Sequence, residues 1–198
     1  MNAKDDGGKM TAKHVCPWWL AYTFDNPLRR LLDPPHKSLE GVVKKGMTIL
    51  DVGCGFGHYS IGAARLVGAQ GRVIAADLQE KMLQKTMARA QRCGLSDRIT
   101  PWQCQSSKIG YIGKVDVVIA GNVVHEVPDA EAFFKEAFEM MKAGGLLLVI
   151  EPGLHVSSKK FNHEVQLALN HGFEQAKLSV SFSYHRTLLK RPMEPTGL

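Results

Sequence analysis

The stretch DVGCGFG (51–57), entered from TIL (48–50), decides how this chain is read. A short apolar run ending in an acid leads into three glycines at alternate positions, Gly53, Gly55 and Gly57, and a helical pattern begins at His58. Glycine accepts left-handed backbone and carries no Cβ, so a chain leaving a strand here can turn sharply and let a ligand approach its main chain. Twenty residues beyond Gly57, at the end of the apolar run RVIAAD (72–77), stands Asp77. A carboxylate so placed can accept hydrogen bonds from both hydroxyls of a ribose. The spacing argues against a nicotinamide dinucleotide, because His58 occupies the position where that fingerprint needs glycine or alanine.

Outward from this turn, short apolar runs alternate with amphipathic stretches. After TILDV (48–52) the pattern predicts a helix over 58–67, the strand RVIAAD, a helix over 79–93, a weak strand over 99–104, the run VDVVIA (115–120), a helix over 130–141 and the strand GGLLLVIE (144–151). This alternation is that of a parallel sheet covered on both faces. Phe134, Ala137, Phe138 and Met141 fall at i, i+3, i+4 and i+7 and predict one apolar stripe against the sheet. A helix over 158–171, closed by Gly172, precedes FEQAKLSVSF (173–182) and HRTLLKR (185–191). With no helical stretch between them, these last two strands must be antiparallel neighbours.

Upstream, residues 1–13 are polar and read as a flexible tail, and residues 192–198 as a second tail. Residues 14–37 carry Trp18, Trp19, Tyr22 and Phe24 and read as two short helices, with Asn26-Pro27 opening the second and Pro34-Pro35 ending it. This N-terminal helical segment either closes as a lid over the active edge of the sheet or seals a helix to the core. The main domain is then 38–191.

The chain has 198 residues, 44% of them apolar, which suits one domain with one sizeable core. No run reaches the roughly 18 apolar residues of a membrane span, and the N-terminus is polar, so the expectation is a cytoplasmic protein without membrane insertion. Cys16, Cys54, Cys93 and Cys104 are scattered and read as reduced thiols. The formal charge of +6 is spread along the chain and argues against nucleic acid as partner. His14 and Cys16 are two ligands and make no complete metal site, so no metal is expected.

Taken together, Asp51, the spacing Gly53-x-Gly55-x-Gly57 and Asp77 resemble motif I and the following acidic residue of the class I S-adenosylmethionine-dependent methyltransferases, in the group acting on ubiquinone/menaquinone precursors and metalloids. The resemblance covers about residues 38–190. It implies an α/β fold, a Rossmann-like doubly wound, mostly parallel sheet of seven strands in the order 3-2-1-4-5-7-6 with its last hairpin antiparallel. It also implies S-adenosylmethionine as cofactor, with Gly53, Cys54, Gly55 and Gly57 lining its methionine and ribose part, Asp77 holding the ribose, Asp51 helping to orient the amino group, and Leu78 packing on the adenine. Where many members place an acid against the adenine amino group this chain reads QCQSSKI (103–109), so Gln105 or Ser106 takes that place as a hydrogen-bond acceptor.

In an open α/β sheet the ligand sits beyond the carboxyl ends of the strands, so GNVVHEVPD (121–129), following the fourth strand, should border the methyl group. Its polar members are Asn122, a cofactor contact, with His125 and Glu126. An acceptor hydroxyl or carbon acid needs a base, and a histidine titrates near neutrality. His125 reads either as that catalytic base or as a residue that caps the next segment or borders the adenine. Glu151 reads either as a contact to the acceptor or as a plain loop carboxylate. The expected activity is in-line methyl transfer to a small-molecule acceptor, the alternatives being a protein or RNA methyltransferase and a non-catalytic binding module.

Overall fold

A computed structural model describes residues 34–177 and 184–194. The expected tail 1–13, nearly all of the aromatic segment 14–37, residues 178–183 and the end of the second tail lie outside the described residues. Chain order is α1 (Pro35–Leu39), β1 (Thr48–Val52), α2 (His58–Val67), β2 (Arg72–Asp77), α3 (Glu80–Arg92), β3 (Ile99–Gln103) and β4 (Val115–Gly121), then a 3-10 turn (Val124–Glu126), α4 (Ala130–Met140), β5 (Met141–Glu151), α5 (Ser158–Asn170), β6 (Glu174–Ala176) and β7 (His185–Lys190). The strands form one sheet in the order β3-β2-β1-β4-β5-β7-β6. β3, β2, β1, β4 and β5 run parallel, and β7 lies antiparallel between β5 and β6. This is the Rossmann-like architecture expected above.

The side-chain period of two explains why the central strands read as unbroken apolar runs: each must satisfy a core on both faces. Ile49, Val117 and Ile119 join Leu39 of α1, Ile61 of α2 and Leu83 of α3 on one side. Leu50, Val118 and Leu147 join Phe133 and Phe134 of α4 and Phe161 of α5 on the other. None of the helices among the described residues is long and apolar enough to cross a membrane.

One local feature adds to the expectation and one differs from it. Pro34-Pro35 opens α1: Pro34 is extended and Pro35 takes the first helical turn, where no amide hydrogen is needed, while the helix it was expected to end lies outside the described residues. In α4, Phe134 and Ala137 face the core as predicted, but Met141 has left the helix for extended backbone and begins β5, and Phe133 and Met140 complete the buried face. Phe138 sits at the margin, edge-on to Phe173 and beneath the guanidinium of Arg191, 4.7 Å from the ring centre.

Register brings the functional segments together. Val52 of β1 is paired with Ala76 of β2 and with Ala120 of β4, so the glycine turn, Asp77 and Gly121 leave the sheet at one edge. Gly121 is packed so closely that a Cβ there would lie 2.3 Å from the ring of Tyr59, itself buried. Overpacking of this kind costs about 1–3 kcal/mol. Gly121→Ala is expected to lose that much stability in urea unfolding, and a variant as stable as the parent would show that the edge tolerates expansion.

Candidate active site

The chain leaving β1 is folded back by its glycines and held there by groups from β2 and α3. The Cys54 amide donates to the carbonyl of Ala76 (3.0 Å), and the Gly57 amide to the carbonyl of Cys54 (2.8 Å). Gly53 and Gly57 are required by close approach: a Cβ would stand 2.7 Å from the Val123 side chain at the first and 2.9 Å from Thr86 at the second. All three glycines have left-handed backbone, but Gly55 is different in that nothing lies within 4 Å of the place a Cβ would occupy. The two outer glycines thus serve packing, and the middle one presents bare main chain to open space.

α3 braces this turn from outside. Thr86 Oγ donates to the Gly55 carbonyl (2.8 Å), and the Arg89 guanidinium donates to the Phe56 carbonyl (3.0 Å). Asp51 is buried at the end of β1, with Oδ2 accepting from Ser60 Oγ at 2.5 Å. Asp77 closes the turn: Oδ2 accepts from the Gly55 amide (3.0 Å) and Oδ1 from the Gln79 amide (2.9 Å). Burial pushes its pKa up, against the lowering effect of backbone bonds from Gln79, Gly55 and Leu78.

The residues expected at the adenine are less tightly gathered. Leu78 is half-buried beside Asp77, whereas Gln105 and Ser106 are exposed in a turn where the Gln105 amide bonds the Lys108 carbonyl (2.9 Å). That turn is joined to the site through the backbone, the Cys104 amide donating to the Asp77 carbonyl (2.9 Å).

On the other side of the glycine turn lies the exit of β4. Asn122 is the one non-glycine among the described residues with positive φ (57°); its amide reaches the Ile150 carbonyl (2.7 Å), and its Oδ1 is buried without a hydrogen-bond partner. Val123 then packs on Gly53, and the 3-10 turn carries His125. His125 Nδ1 lies 2.5 Å from Oε2 of Glu151, and Oε1 of the same carboxylate accepts from the amides of Val124 (2.8 Å) and His125 (3.3 Å). Glu151 is completely buried at the end of β5. This excludes the plain loop carboxylate considered above. His125 does not cap α4 either, because Asp129 does so by accepting from the Ala132 amide (3.0 Å).

Burial opposes charge on His125, but the hydrogen bond and charge of Glu151, with Glu126 adding, outweigh it, and the net effect raises its pKa. From α5, Lys160 Nζ donates to the His125 carbonyl (3.3 Å) and stands 3.8 Å from Glu164, a buried acid raised by burial and by the charge of Glu151. Among the described residues no group of three His, Cys, Asp or Glu side chains could hold a metal ion; His14 and Cys16 lie outside them.

Sequence reading missed Thr86, Arg89, Ser60 and Glu164. For Thr86 a signal existed: it is a polar residue within the buried stripe Met82, Leu83, Thr86 and Ala90 of α3.

Comparison with known proteins bears on the whole arrangement. A family model described as a methyltransferase domain matches residues 43–187. The chain belongs to this family. Its class is that of the S-adenosylmethionine-dependent methyltransferases, whose methyl donor is S-adenosylmethionine. The ubiquinone/menaquinone biosynthesis C-methyltransferase of Pasteurella multocida is 31% identical over 124 residues, covering 61% of this chain and 46% of that protein. The ubiquinone biosynthesis O-methyltransferase of Caulobacter vibrioides is 30% identical over 149 residues, covering 73% and 56%. The matched stretches thus span about half the length of these two relatives. Among solved structures, a SAM-dependent methyltransferase from Aquifex aeolicus shares the fold with a TM-score of 0.78 at 24% identity, covering 89% of this chain and 98% of that one.

The thiols of this methyltransferase domain are graded by environment. Cys54, within the glycine turn, is buried and its pKa is raised well above the usual value by burial, then by the charges of Asp77 and Asp51; Cys104 is raised to about 12, mainly by burial; Cys93 is exposed. Because the thiolate is the reactive form, iodoacetamide at about pH 8 should label Cys93 first of these three in the folded protein, as read by peptide mass spectrometry. Labelling of Cys54 at a comparable rate would mean that the glycine turn opens.

Proposed function

We propose that this domain transfers a methyl group from S-adenosylmethionine to a small-molecule acceptor lying beside His125. The single observation that carries the reading is the contact between two half-sites: a bare main chain at Gly55 tied to Asp77, and the His125 turn packed onto Gly53 through Val123. The cofactor supplies a methyl on a positively charged sulfur, so the protein's task is alignment, exclusion of water and handling of a proton. Alignment alone can account for about 7–11 kcal/mol of barrier.

The residues present fit such a ligand. The open face at Gly55 admits close approach, and residues Gly53, Cys54 and Gly57 form the rest of the cradle. The Asp77 carboxylate accepts backbone bonds from Gly55 and Gln79 and keeps acceptor capacity for a ribose hydroxyl. Asn122 Oδ1, orphaned in the protein, suits the cofactor's ammonium donor, and Asp51 braces the turn through Ser60. Leu78 packs on the adenine, and Gln105 or Ser106 accepts from its amino group.

His125 is the base in this reading. Nδ1 is taken by Glu151, which leaves Nε2, 3.9 Å from Glu126, as the nitrogen available to an acceptor. A base of this kind serves a hydroxyl or an acidic C–H and is worth roughly 10²–10⁴ in rate. The names of the two bacterial relatives, a C-methyltransferase and an O-methyltransferase, support those acceptor atoms.

Asp77→Ala is expected to weaken S-adenosylmethionine binding by roughly 10–100-fold in calorimetry, the loss of charge-assisted hydrogen bonds. His125→Ala should keep that affinity and slow transfer to a hydroxyl or carbon-acid acceptor by roughly 10²-fold or more. Absence of binding heat with both the cofactor and its demethylated product in the parent protein would overturn the reading.

A further inference from the structure

Two carboxylates, Glu151 and Glu164, are buried next to the His125 turn, and neither has yet been given a part in the reaction. Glu151 is the informative one, because each of its side-chain hydrogen bonds among the described residues serves the same three-residue turn. Oε1 gathers the amides of Val124 and His125, and Oε2 takes Nδ1 of the His125 ring. The backbone and the ring are thereby held by one rigid group at the end of a central strand, and rotation of the ring would take from the buried Oε2 the partner it has in Nδ1. The remaining titratable neighbours are Glu126 on the same turn, Lys160 and Glu164 on α5, and His185 on β7, which pairs with Glu151 across the sheet. Lys160 holds the carbonyl of His125 and leaves the ring alone.

We propose that Glu151 is a positioning residue: it holds neutral His125 in the tautomer with the proton on Nδ1, so that Nε2 faces the acceptor as a lone pair. The inference rests on the methyl-transfer reading and deepens it by assigning the group that makes the histidine a base. During transfer the acceptor's proton moves to Nε2, and the electron pair it leaves forms the bond to the methyl carbon. The pair of the broken carbon–sulfur bond returns to sulfur. One positive charge disappears from the sulfonium and one appears on the imidazolium, which then lies against a carboxylate already buried and oriented. Unlike mobile water, such a counterion needs no reorganisation as the charge develops. The site is therefore built for acceptors that surrender a proton, and a thiolate would gain nothing from it.

The spectroscopic test of Glu151 needs neither acceptor nor cofactor. In the ¹⁵N-labelled protein, long-range imidazole spectra followed against pH report which nitrogen of His125 carries the proton and where the ring titrates. The expected result is an Nδ1–H tautomer in the parent protein, titrating above an ordinary exposed histidine. In Glu151→Gln the midpoint should fall to or below that of an exposed histidine, and the tautomers should mix; Glu151→Asp should restore part of the shift. An Nε2–H tautomer in the parent protein, or a Gln variant with unchanged titration and tautomer, would overturn the proposal. The parent spectrum decides the matter even if both variants fail to fold. Calorimetry with S-adenosylmethionine separates the two levels: binding with the wrong tautomer refutes Glu151 alone, and the expected tautomer without binding refutes the methyl-transfer reading alone.

Discussion

A buried carboxylate that accepts two backbone amides from different turns is the constraint on which this site depends. Asp77 joins the amide of Gly55, beyond β1, to the amide of Gln79, at the start of α3. Left-handed backbone leaves the amides of a glycine turn pointing away from the strand ladder, and a buried amide without a partner is costly. Asp77 satisfies one of them at the expense of its own desolvation, which is why its pKa rises despite the hydrogen bonds it accepts. Thr86 and Arg89 supply the complementary donors to the carbonyls of Gly55 and Phe56. The turn is thus closed from both sides, and its remaining open face lies at the carboxyl edge of the sheet.

The same device recurs at the second half-site. Glu151 ends β5 as Asp77 ends β2, and it too collects amides from a neighbouring turn, there those of Val124 and His125. In a parallel sheet every strand delivers its last residue to one edge, so acids at strand ends are positioned by the sheet and exposed to whatever the loops assemble above it. Asp77 keeps acceptor capacity for a ligand, whereas Glu151 spends an oxygen on a ring nitrogen. In the proposed function that difference separates a binding carboxylate from an orienting one. The half-sites touch where Val123 packs on Gly53, a contact permitted only because Gly53 has no side chain.

The order of the elements, the glycine turn and the acid at the end of β2 were legible in the sequence, because each depends on spacing within a few residues or on the period of the apolar pattern. His125 and Asn122 were also reachable, since they follow the fourth strand in any sheet of this kind. Short-range reasoning failed where two signals competed. Pro34-Pro35 suits the end of one helix and the start of another, and α1 was missed because the pattern was read only as the first. In the same way, the apolar periodicity of α4 runs on through Met141, although the backbone has already turned into β5.

By itself the amino-acid sequence determined the alternating strand and helix order, the glycine turn at Gly53, Gly55 and Gly57, and the identity of the acids available at strand ends. Only the tertiary structure decided what those acids hold. His125 and Glu151 are 26 positions apart on separate strands' exits, and Thr86 reaches Gly55 across 31 positions. Partnerships of that length depend on strand register and on the burial of whole helices, properties of the folded sheet that no local pattern encodes.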